Sequence, residues 1–217
     1  MAAKVLSHGD VVLRQKDLDS VAGGGWLTDQ IVSLWFELLS EIEHGKEGEG
    51  DHLVLFVPPP ITMLVSFCSE EDAAAQLKAL GLDRGKMLCV AVNDGSGAEA
   101  ESGTHWTLLV MQRDDGVHIH YDSLRGGDRG ANWEAARRFV RAMARAFPSW
   151  DGEVRSAPHG VVQSNGSDCG VCLLATAEAV ARVGTPLAPE VADAIDPAAF
   201  RKHMRRVIEG LVASQQR

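Results

Sequence analysis

The segment QSNGSDCGVC, residues 163–172, places two cysteines, Cys169 and Cys172, three positions apart. This spacing is compatible with three kinds of chemistry: a dithiol redox pair, half of a metal site, or one nucleophile beside an apolar neighbour. A redox C-x-x-C motif is typical of a small thioredoxin-like unit, whereas this motif comes late in a long chain and runs directly into LLATAEAV, which points Cys172 at a core. The redox interpretation is therefore disfavoured.

The metal interpretation requires further ligands at motif spacing. A structural zinc site uses four ligands, usually as two close pairs. The other two cysteines, Cys68 and Cys89, lie 21 positions apart, and each stands in an apolar segment. His118 and His120 could hold a metal from one strand face, but no third ligand has motif spacing. The sequence therefore predicts no metal site, and it indicates no cofactor.

The nucleophile interpretation requires a base, an acid that orients the base, and a donor for the oxyanion. Asp168 is a good helix N-cap residue, and it would place Cys169 at the first helical position, where the helix dipole favours a thiolate. The carboxylate of Asp168 partly opposes this effect. A protonated histidine near Cys169 is therefore needed to complete the site.

A predicted β-hairpin supplies the histidine and the acid. The segment HWTLLVMQRDDGVHIHYDSL, residues 105–124, reads as two strands joined by a turn at RDDG. With a two- or four-residue loop, directly opposed residues have numbers with an odd sum, so His105 and Asp122 share a face. The other face collects the apolar side chains expected to meet the core: Trp106, Leu108, Val110, Val117, Ile119 and Tyr121. We expect His105 and Asp122 to meet on the more polar face, near the open end of the hairpin.

Two further histidines, His118 and His120, share this face and compete with His105 as the base. His120 lies deeper in the hairpin, where a histidine is more often structural. His105 is therefore the favoured base, hydrogen-bonded to the acid of the other strand. Gln163, six residues before Cys169, can bring its side-chain amide over the helix start as an oxyanion donor beside a backbone N–H.

Hydrophobic periodicity predicts the elements that must position these residues. Helices are predicted over residues 28–42, 71–82, 132–147, 168–183 and about 198–213. Strands are predicted over residues 52–59, 86–94 and 153–159, in addition to the hairpin, with loops at 43–51 and 95–103. Helices before, between and after the strands favour an α+β fold over a regularly alternating parallel sheet.

Length, composition and charge bound the class of protein. The chain has 217 residues, of which 45% are hydrophobic, and shows no internal repeat, so we expect one domain over residues 1–217. A net charge of −9 disfavours nucleic acid as a partner. The start lacks the apolar run of a signal peptide, and three prolines interrupt the most apolar window, so we expect no membrane association. Four dispersed cysteines favour free thiols in the cytoplasm, the nucleus or both.

His105-Trp106, Asp122 within HYDS, and the run QSNGSDCG follow one another in an order that resembles the Ulp (sentrin-specific) family of ubiquitin-like protein proteases. The family's order of His, Asp, Gln and Cys and its signature Q-x-N-G-x-D-C-G both match. The segments DVVLRQKDLDSV, GWLTDQIVSLWFELL and AVNDGSGAEAESGTHWTLLV resemble the deneddylase branch, which removes the neddylation modifier, Nedd or Rub. The resemblance covers about residues 5–210.

The resemblance implies a papain-like cysteine protease fold, with a central mixed or antiparallel sheet and helices around it. It implies that Cys169 attacks, that His105 acts as base and then as acid, that Asp122 orients His105, and that Gln163 helps to hold the oxyanion. The family's substrates end in Gly-Gly, and a tunnel too narrow for side chains would select such a tail. The implied reaction is precursor processing and deconjugation of a modifier.

The resemblance also implies a binding site for the modifier's tail. Trp26 and Trp106 match the family's tunnel tryptophans, and Asp29 in WLTD matches an acidic position that contacts the tail. The loop NDGSGAEAESG resembles a segment that closes over the tail. The implied partners are Nedd or Rub and its conjugates, such as neddylated cullins, with the protease itself a monomer. Two departures, AGGGW before Trp26 and the acidic loop at 43–51, bear on which modifier is preferred.

Three alternatives stay open at this point. A protease of this fold could prefer SUMO or ubiquitin. The same residues could serve an acetyltransferase of the related clan, although the sequence shows no basic cluster for the phosphates of an acyl coenzyme. The fold could also hold a modifier without catalysis, but the intact set of His105, Asp122, Gln163 and Cys169 argues against such a binding module.

Overall fold

The computed structural model describes residues 3–44, 54–95, 103–124 and 132–215. Its strands are β1 (Lys4–His8), β2 (Val11–Arg14), β3 (Val54–Val57), β4 (Met87–Asn93), β5 (Trp106–Gln112), β6 (Val117–Tyr121) and β7 (Glu153–Ser156). Its helices are α1 (Gln15–Ala22), α2 (Asp29–His44), α3 (Pro59–Phe67), α4 (Glu70–Ala79), α5 (Trp133–Ala146), α6 (Cys169–Val183), α7 (Pro189–Asp193) and α8 (Pro197–Gln215). Within these ranges no helix is both long enough and apolar enough to cross a membrane.

Five strands form the central sheet in the order β3-β4-β5-β6-β7. The outer pairs, β3–β4 and β6–β7, are parallel, and the inner pairs, β4–β5 and β5–β6, are antiparallel. A parallel pair needs a crossover connection; α3 and α4 lie between β3 and β4, and α5 lies between β6 and β7. β1 and β2 pair separately as a small hairpin. The predicted α+β class, with a mixed sheet and helices around it, is confirmed.

Helices cover both faces of this sheet. One cluster of buried apolar side chains joins strand residues such as Leu108 and Ile119 to α2, α6 and α8. A second cluster joins the alternate residues, such as Leu109 and Met111, to α3, α4 and α5. The expectation of a more polar face on the hairpin is therefore wrong, because the crossover helix α5 packs over that face and buries it too.

Most predicted elements form where the periodicity placed them. The helices α2, α4, α5 and α6 and the strands β3 to β7 occupy the predicted segments, and α8 extends beyond its predicted end to Gln215. α4 ends shortly before Gly81, whose φ of +62° is the left-handed conformation that glycine adopts freely. The predicted loops at 43–51 and 95–103 lie largely outside the described residues.

The elements β1, β2, α1, α3 and α7 have no counterpart among the sequence predictions. Asp17, which is 1% exposed, fixes the turn into α1. Its Oδ2 accepts a 2.7 Å hydrogen bond from the backbone N–H of Arg14, and its Oδ1 accepts one of 2.8 Å from Thr28 Oγ1. α3 starts at Pro59, a position where the missing N–H of proline would have no helical partner. These short elements depend on such local contacts rather than on a long hydrophobic period.

Candidate active site

The register of the β5–β6 hairpin brings His105 and Asp122 together. Leu108 lies opposite Tyr121, so opposed residue numbers have an odd sum, as predicted. The four-residue turn at 113–116 preserves this parity. His105 Nε2 donates a hydrogen bond to Asp122 Oδ1 over 2.7 Å. The two side chains are only 9% and 11% exposed, so the pair is largely shielded from water.

Two neighbours determine the charge of His105. Burial favours the neutral imidazole, but hydrogen bonds with Asp122 and Cys169 outweigh it and raise the pKa of His105 to about 9. Burial also favours the neutral acid at Asp122, yet hydrogen bonds from His105 and from the backbone N–H of Leu124 lower the pKa of that carboxyl. Because Asp122 occupies Nε2, Nδ1 is the ring nitrogen that remains for Cys169. At neutral pH the imidazole is a cation between the carboxylate of Asp122 and the sulfur of Cys169.

Two polar side chains fix the backbone of His105. Asp94, directly after β4, accepts hydrogen bonds from the N–H groups of His105 over 2.9 Å and Thr104 over 2.6 Å. Burial opposes ionisation of Asp94, but the hydrogen bonds from Thr104 and His105 lower the pKa of its carboxyl. Asn132, fully buried, donates from Nδ2 to the carbonyl oxygens of His105 over 3.0 Å and Val92 over 3.2 Å. Sequence reasoning missed both; the place of Asp94 at a strand end is the signal that could have found it.

The two competing histidines of the hairpin have structural partners. His120 is 2% exposed, shares a 2.9 Å hydrogen bond with Thr107 Oγ1 and packs edge-on against Trp133. Burial lowers the pKa of His120 to about 4, so this ring is neutral at physiological pH. His118 Nε2 donates to the carbonyl oxygen of Trp150 over 3.0 Å, and burial lowers the pKa of His118 as well. These contacts tie both rings to the interior of the fold.

α6 begins at Cys169, as predicted, but the side chain of Asp168 does not cap it. Asp168 Oδ1 instead accepts hydrogen bonds from Arg201 Nε over 2.9 Å and Nη2 over 2.6 Å. Its Oδ2 accepts one of 2.8 Å from Asn165 Nδ2. A guanidinium is a stronger partner for a carboxylate than a backbone N–H, so it displaces the capping bond. Arg201 therefore partly offsets the charge that was expected to oppose a thiolate at Cys169.

The two cysteines of the opening motif differ in their surroundings. Cys169 is 2% exposed and lies on the wall of a cleft that also includes His105. Cys172, one turn further on, is 1% exposed, and burial together with the nearby Asp168 raises the pKa of its thiol to about 12. Cys172 is therefore protonated at physiological pH and packs in the core, as predicted. All four cysteines are free.

Gln163 occupies a fixed place beside the acid of the hairpin. Its Oε1 accepts a 2.6 Å hydrogen bond from Ser123 Oγ, and its backbone N–H bonds to the carbonyl of the same residue over 3.3 Å. Its Nε2 donates over 2.6 Å to the carbonyl oxygen of Asn165, within the loop that leads to Cys169. An amide nitrogen carries two hydrogens, so one N–H of Gln163 is left after this bond. The side chain thus lies along the nucleophile loop with one donor to spare.

One cleft brings the predicted tail-binding residues to the nucleophile. Its walls include Trp26, Asp29, His105, Trp106 and Cys169. Asp29 opens α2, and burial raises the pKa of its carboxyl despite a hydrogen bond from the next backbone N–H. The resemblance to the family predicted that Trp26, Asp29 and Trp106 bind the tail, and in the structure all three line the cleft that contains Cys169.

The two tryptophans are held by their indole N–H groups. Trp26 is 51% exposed, and its Nε1 donates over 2.7 Å to the carbonyl oxygen of Gly166. Trp106 is 8% exposed, and its Nε1 donates over 3.1 Å to the carbonyl oxygen of Leu27. A Cβ at Gly170 would lie 3.2 Å from Trp106 Cδ1, so a glycine there lets the indole lie against the first turn of α6. Trp106 thus packs on the α6 face of β5 and still lines the cleft.

The segment predicted to close over a tail, residues 93–103, is described only at its two ends. At these ends, Asn93 Oδ1 accepts a 2.7 Å hydrogen bond from the backbone N–H of Gly95, and a Cβ at Gly103 would lie 1.5 Å from the same oxygen. The part between lies outside the described residues. Among the described residues, no group of three or more His, Cys, Asp or Glu side chains has the geometry of a metal site.

A cysteine at a helix start, a histidine paired with a carboxylate, and a cleft lined by both define the class of papain-like cysteine proteases. No protein-family model matches the chain. The chain is 34% identical over 179 residues to NEDD8-specific protease 1 of Arabidopsis thaliana, a match that covers 82% of this chain and 75% of that protein. It is 30% identical over 177 residues to sentrin-specific protease 8 of Homo sapiens, with 81% and 80% covered.

Solved structures share the fold at lower identity. The Ulp1 protease domain in complex with Smt3, the yeast ortholog of SUMO, aligns with a TM-score of 0.69 and 16% identity over 99% of this chain and 88% of that one. The SUMO protease Ulp1 with its catalytic cysteine oxidised to a sulfenic acid aligns with a TM-score of 0.71 and 15% identity, covering 98% and 89%. The chain belongs to the Ulp, or sentrin-specific, family of ubiquitin-like protein cysteine proteases, in its deneddylase branch.

Proposed function

We propose that this protease cleaves the bond after the C-terminal Gly-Gly of a ubiquitin-like modifier, and that Nedd is the modifier it prefers. The observation that carries the proposal is the position of His105, which contacts both Asp122 and Cys169 in a cleft that two tryptophans also line. The relative at 34% identity, NEDD8-specific protease 1, supports Nedd over SUMO, since the SUMO protease structures share only 15% and 16% identity.

The first half of the reaction forms a thioester. The thiolate of Cys169 adds to the carbonyl carbon of the modifier's last glycine, and the C=O electron pair moves to oxygen. His105, a cation with a pKa of about 9, gives its proton to the leaving amine as the C–N bond breaks. Asp122 keeps the imidazole oriented and stabilises its charge. The released product is the amine of a lysine or of a C-terminal extension.

The oxyanion of the intermediate needs donors at the start of α6. The backbone N–H of Cys169 is one of the first N–H groups of the helix, which have no helical partner. The N–H of Gln163 that is left after its bond to Asn165 supplies the second donor.

The second half of the reaction releases the modifier. His105, now neutral, takes a proton from water, and the oxygen of that water adds to the thioester carbonyl. The thiolate of Cys169 then leaves, and the modifier departs with a free carboxylate. The same two steps serve both precursor processing and removal of Nedd from target proteins such as cullins.

The walls of the cleft support a diglycine tail as the substrate. Trp26 and Trp106 are held by bonds to Gly166 and Leu27, so neither indole moves aside without breaking a hydrogen bond. Residues without a Cβ pass between such fixed rings most easily. We propose that the protein acts as a monomer in the cytoplasm or nucleus, a reducing compartment with which four free cysteines are consistent.

A panel of modifiers with C-terminal electrophiles tests the proposal. Nedd, SUMO and ubiquitin, each ending in an electrophile that traps a thiolate, are incubated with the wild-type protein, with Cys169→Ala and with the matched control Cys172→Ala. We expect a covalent adduct with Nedd that Cys169→Ala abolishes and Cys172→Ala retains.

Each outcome of the panel decides a different part of the proposal. No adduct with any modifier excludes the protease activity and leaves a non-catalytic modifier-binding module or an acyl transferase. A faster adduct with SUMO or ubiquitin keeps the protease activity and overturns the preference for Nedd. An adduct that survives in Cys169→Ala shows that another residue is the nucleophile.

A further inference from the structure

Arg201, on α8, lies next to the residue that precedes the nucleophile. Its guanidinium bonds to Asp168 Oδ1 through Nε over 2.9 Å and Nη2 over 2.6 Å, although the two residues are 33 positions apart. The side chains of Arg201 and Asp168 are only 11% and 8% exposed. Solvent screens so buried a pair only a little, so the charges of Arg201 and Asp168 act strongly on each other and on the neighbouring groups.

The other N–H groups of Arg201 hold two further segments. Nη1 donates to the carbonyl oxygen of Ser20, at the end of α1, over 2.8 Å. Nη2 donates to the carbonyl oxygen of Gly25 over 2.9 Å and lies 3.4 Å from that of Ser167. The guanidinium of Arg201 therefore links α8 to the end of α1, to the segment before Trp26 and to the loop before Cys169.

The first consequence concerns the nucleophile. Asp168 directly precedes Cys169, and an uncompensated carboxylate there would make a thiolate at Cys169 less favourable. Arg201 and Asn165 take up both oxygens of this carboxylate. The cationic His105 then acts on Cys169 against a carboxylate whose charge is partly offset.

The second consequence concerns the wall of the cleft. Gly25, whose carbonyl oxygen Arg201 holds, is the residue before Trp26. The indole of Trp26 is in turn bonded to Gly166, two residues before Asp168. The hydrogen bonds of Arg201 and of the Trp26 indole thus connect the segment around Trp26 to the loop before Cys169 at two points.

We propose that Arg201 is a positioning residue with two separable tasks: its charge offsets that of Asp168 beside Cys169, and its hydrogen bonds fix the backbone before Trp26. The proposal rests on the proposed role of Cys169 as nucleophile and adds a residue from outside the sequence motif. The charge governs the rate of the chemical step, whereas the bond to Gly25 governs the binding of the modifier's tail.

Three variants separate these tasks. Arg201→Met removes charge and hydrogen bonds; Arg201→Lys keeps a charge within reach of Asp168 but lacks the fork that also reaches the carbonyls. The double variant Asp168→Asn with Arg201→Met removes both partners of the ion pair. Arg205→Met is the matched control, because Arg205 lies one turn further along α8 and forms an exposed pair with Glu209.

Two measurements read the tasks separately. The rate of alkylation of Cys169 by iodoacetamide, followed by mass spectrometry of its peptide across pH, reports on the thiolate without any modifier. The values of kcat and KM on fluorogenic Nedd report on chemistry and tail binding. The groups that shape the pH profile of Cys169 include His105 with Asp122, Asp168 with Arg201, and Cys172.

We expect Arg201→Met to slow alkylation near neutral pH by about tenfold and to move its pH profile upward, since loss of an ion-pair partner has effects of this order. Arg201→Lys and the double variant alkylate within about threefold of wild type. KM rises in all three variants because each lacks the bond to Gly25, while kcat falls only in Arg201→Met. Arg205→Met matches wild type in every measurement.

Two results would overturn the proposal. Alkylation of Arg201→Met at the wild-type rate would show that Asp168 needs no neutralisation. A double variant that is folded by circular dichroism but as slow as Arg201→Met would show that Arg201 acts only as a structural contact. If wild-type protein turns over no modifier, the proposed function fails, and the alkylation series still decides the role of Arg201.

Discussion

The open end and the interior of one hairpin give two histidines opposite properties. At the open end, a carboxylate and a thiol raise the pKa of His105 to about 9 against the effect of burial. In the interior, His120 shares a hydrogen bond with the hydroxyl of Thr107 and packs against the ring of Trp133, and burial lowers its pKa to about 4. Both lie on one face of the hairpin, so the depth of burial and the partners of each ring together separate a reactive histidine from a structural one.

The largest expected effect on kcat comes from replacing His105 by alanine, with the same replacement at His120 as the comparison. We expect His105→Ala to lower kcat on fluorogenic Nedd by on the order of 10²–10⁴-fold, since it removes the general base. His120→Ala should keep kcat within about threefold but lower the free energy of unfolding by about 1–3 kcal/mol, because it leaves Thr107 unpaired in the interior. Steady-state kinetics and thermal unfolding of both variants test this expectation. Equal losses of kcat in the two variants would refute the assignment of His105 as reactive and His120 as structural.

The next effect concerns the charge of His105. Asp122→Asn removes the hydrogen bond and the negative charge that raise the pKa of His105. Above its pKa the imidazole has no proton for the leaving group, so kcat/KM of the wild type should fall as pH rises through about 9. In Asp122→Asn this limb should move to lower pH, and kcat at neutral pH should fall by on the order of 10³-fold, within the range that general acid–base catalysis contributes. A pH–rate profile with an unmoved upper limb would contradict the role of Asp122.

A smaller effect is expected at the oxyanion donors. Gln163→Ala should lower kcat by about 10²-fold, the low end of what the loss of one oxyanion donor costs, because the backbone N–H of Cys169 remains. KM should change little, since the oxyanion exists only in the transition state and the intermediate. Gln163→Glu, of equal size but without the spare N–H, is the matched variant and should lose as much. Wild-type kcat in both variants would remove Gln163 from the mechanism.

The smallest effect is expected at the second cysteine. Cys172 differs from Cys169 as His120 differs from His105: burial raises the pKa of the Cys172 thiol to about 12 and keeps it protonated. Cys172→Ala should leave kcat and KM within about threefold of wild type, since alanine fills most of the site without a polar group. Loss of turnover in a folded Cys172→Ala protein would show that the two cysteines act together.

The hairpin was predictable from sequence because its geometry is local. A turn of two or four residues places His105 on the face of Asp122, and the four-residue turn at 113–116 meets this condition. The helix start at Cys169 was predictable for the same reason, since a good N-cap residue precedes an apolar helical run.

The remainder of the site depends on how distant segments pack. Arg201 replaces the predicted capping bond of Asp168, and no pattern in the sequence links α8 to the nucleophile loop. The second face of the hairpin is buried because α5, in the crossover between β6 and β7, packs over it. The alternation of residues within the strands does not predict where this helix packs. Asn132, which holds the carbonyl of His105, comes from the start of that same helix.

A titration of the two histidines tests most directly whether their partners set their roles. Proton NMR of the imidazole C–H signals, assigned among the eight histidines with His105→Ala and His120→Ala, gives both midpoints in one sample. We predict a midpoint of about 9 for His105 and about 4 for His120, with that of His105 falling in Cys169→Ala. A midpoint for His105 near the ordinary value of 6.5, unchanged in Cys169→Ala, would contradict the pairing with Cys169 on which the proposed mechanism depends.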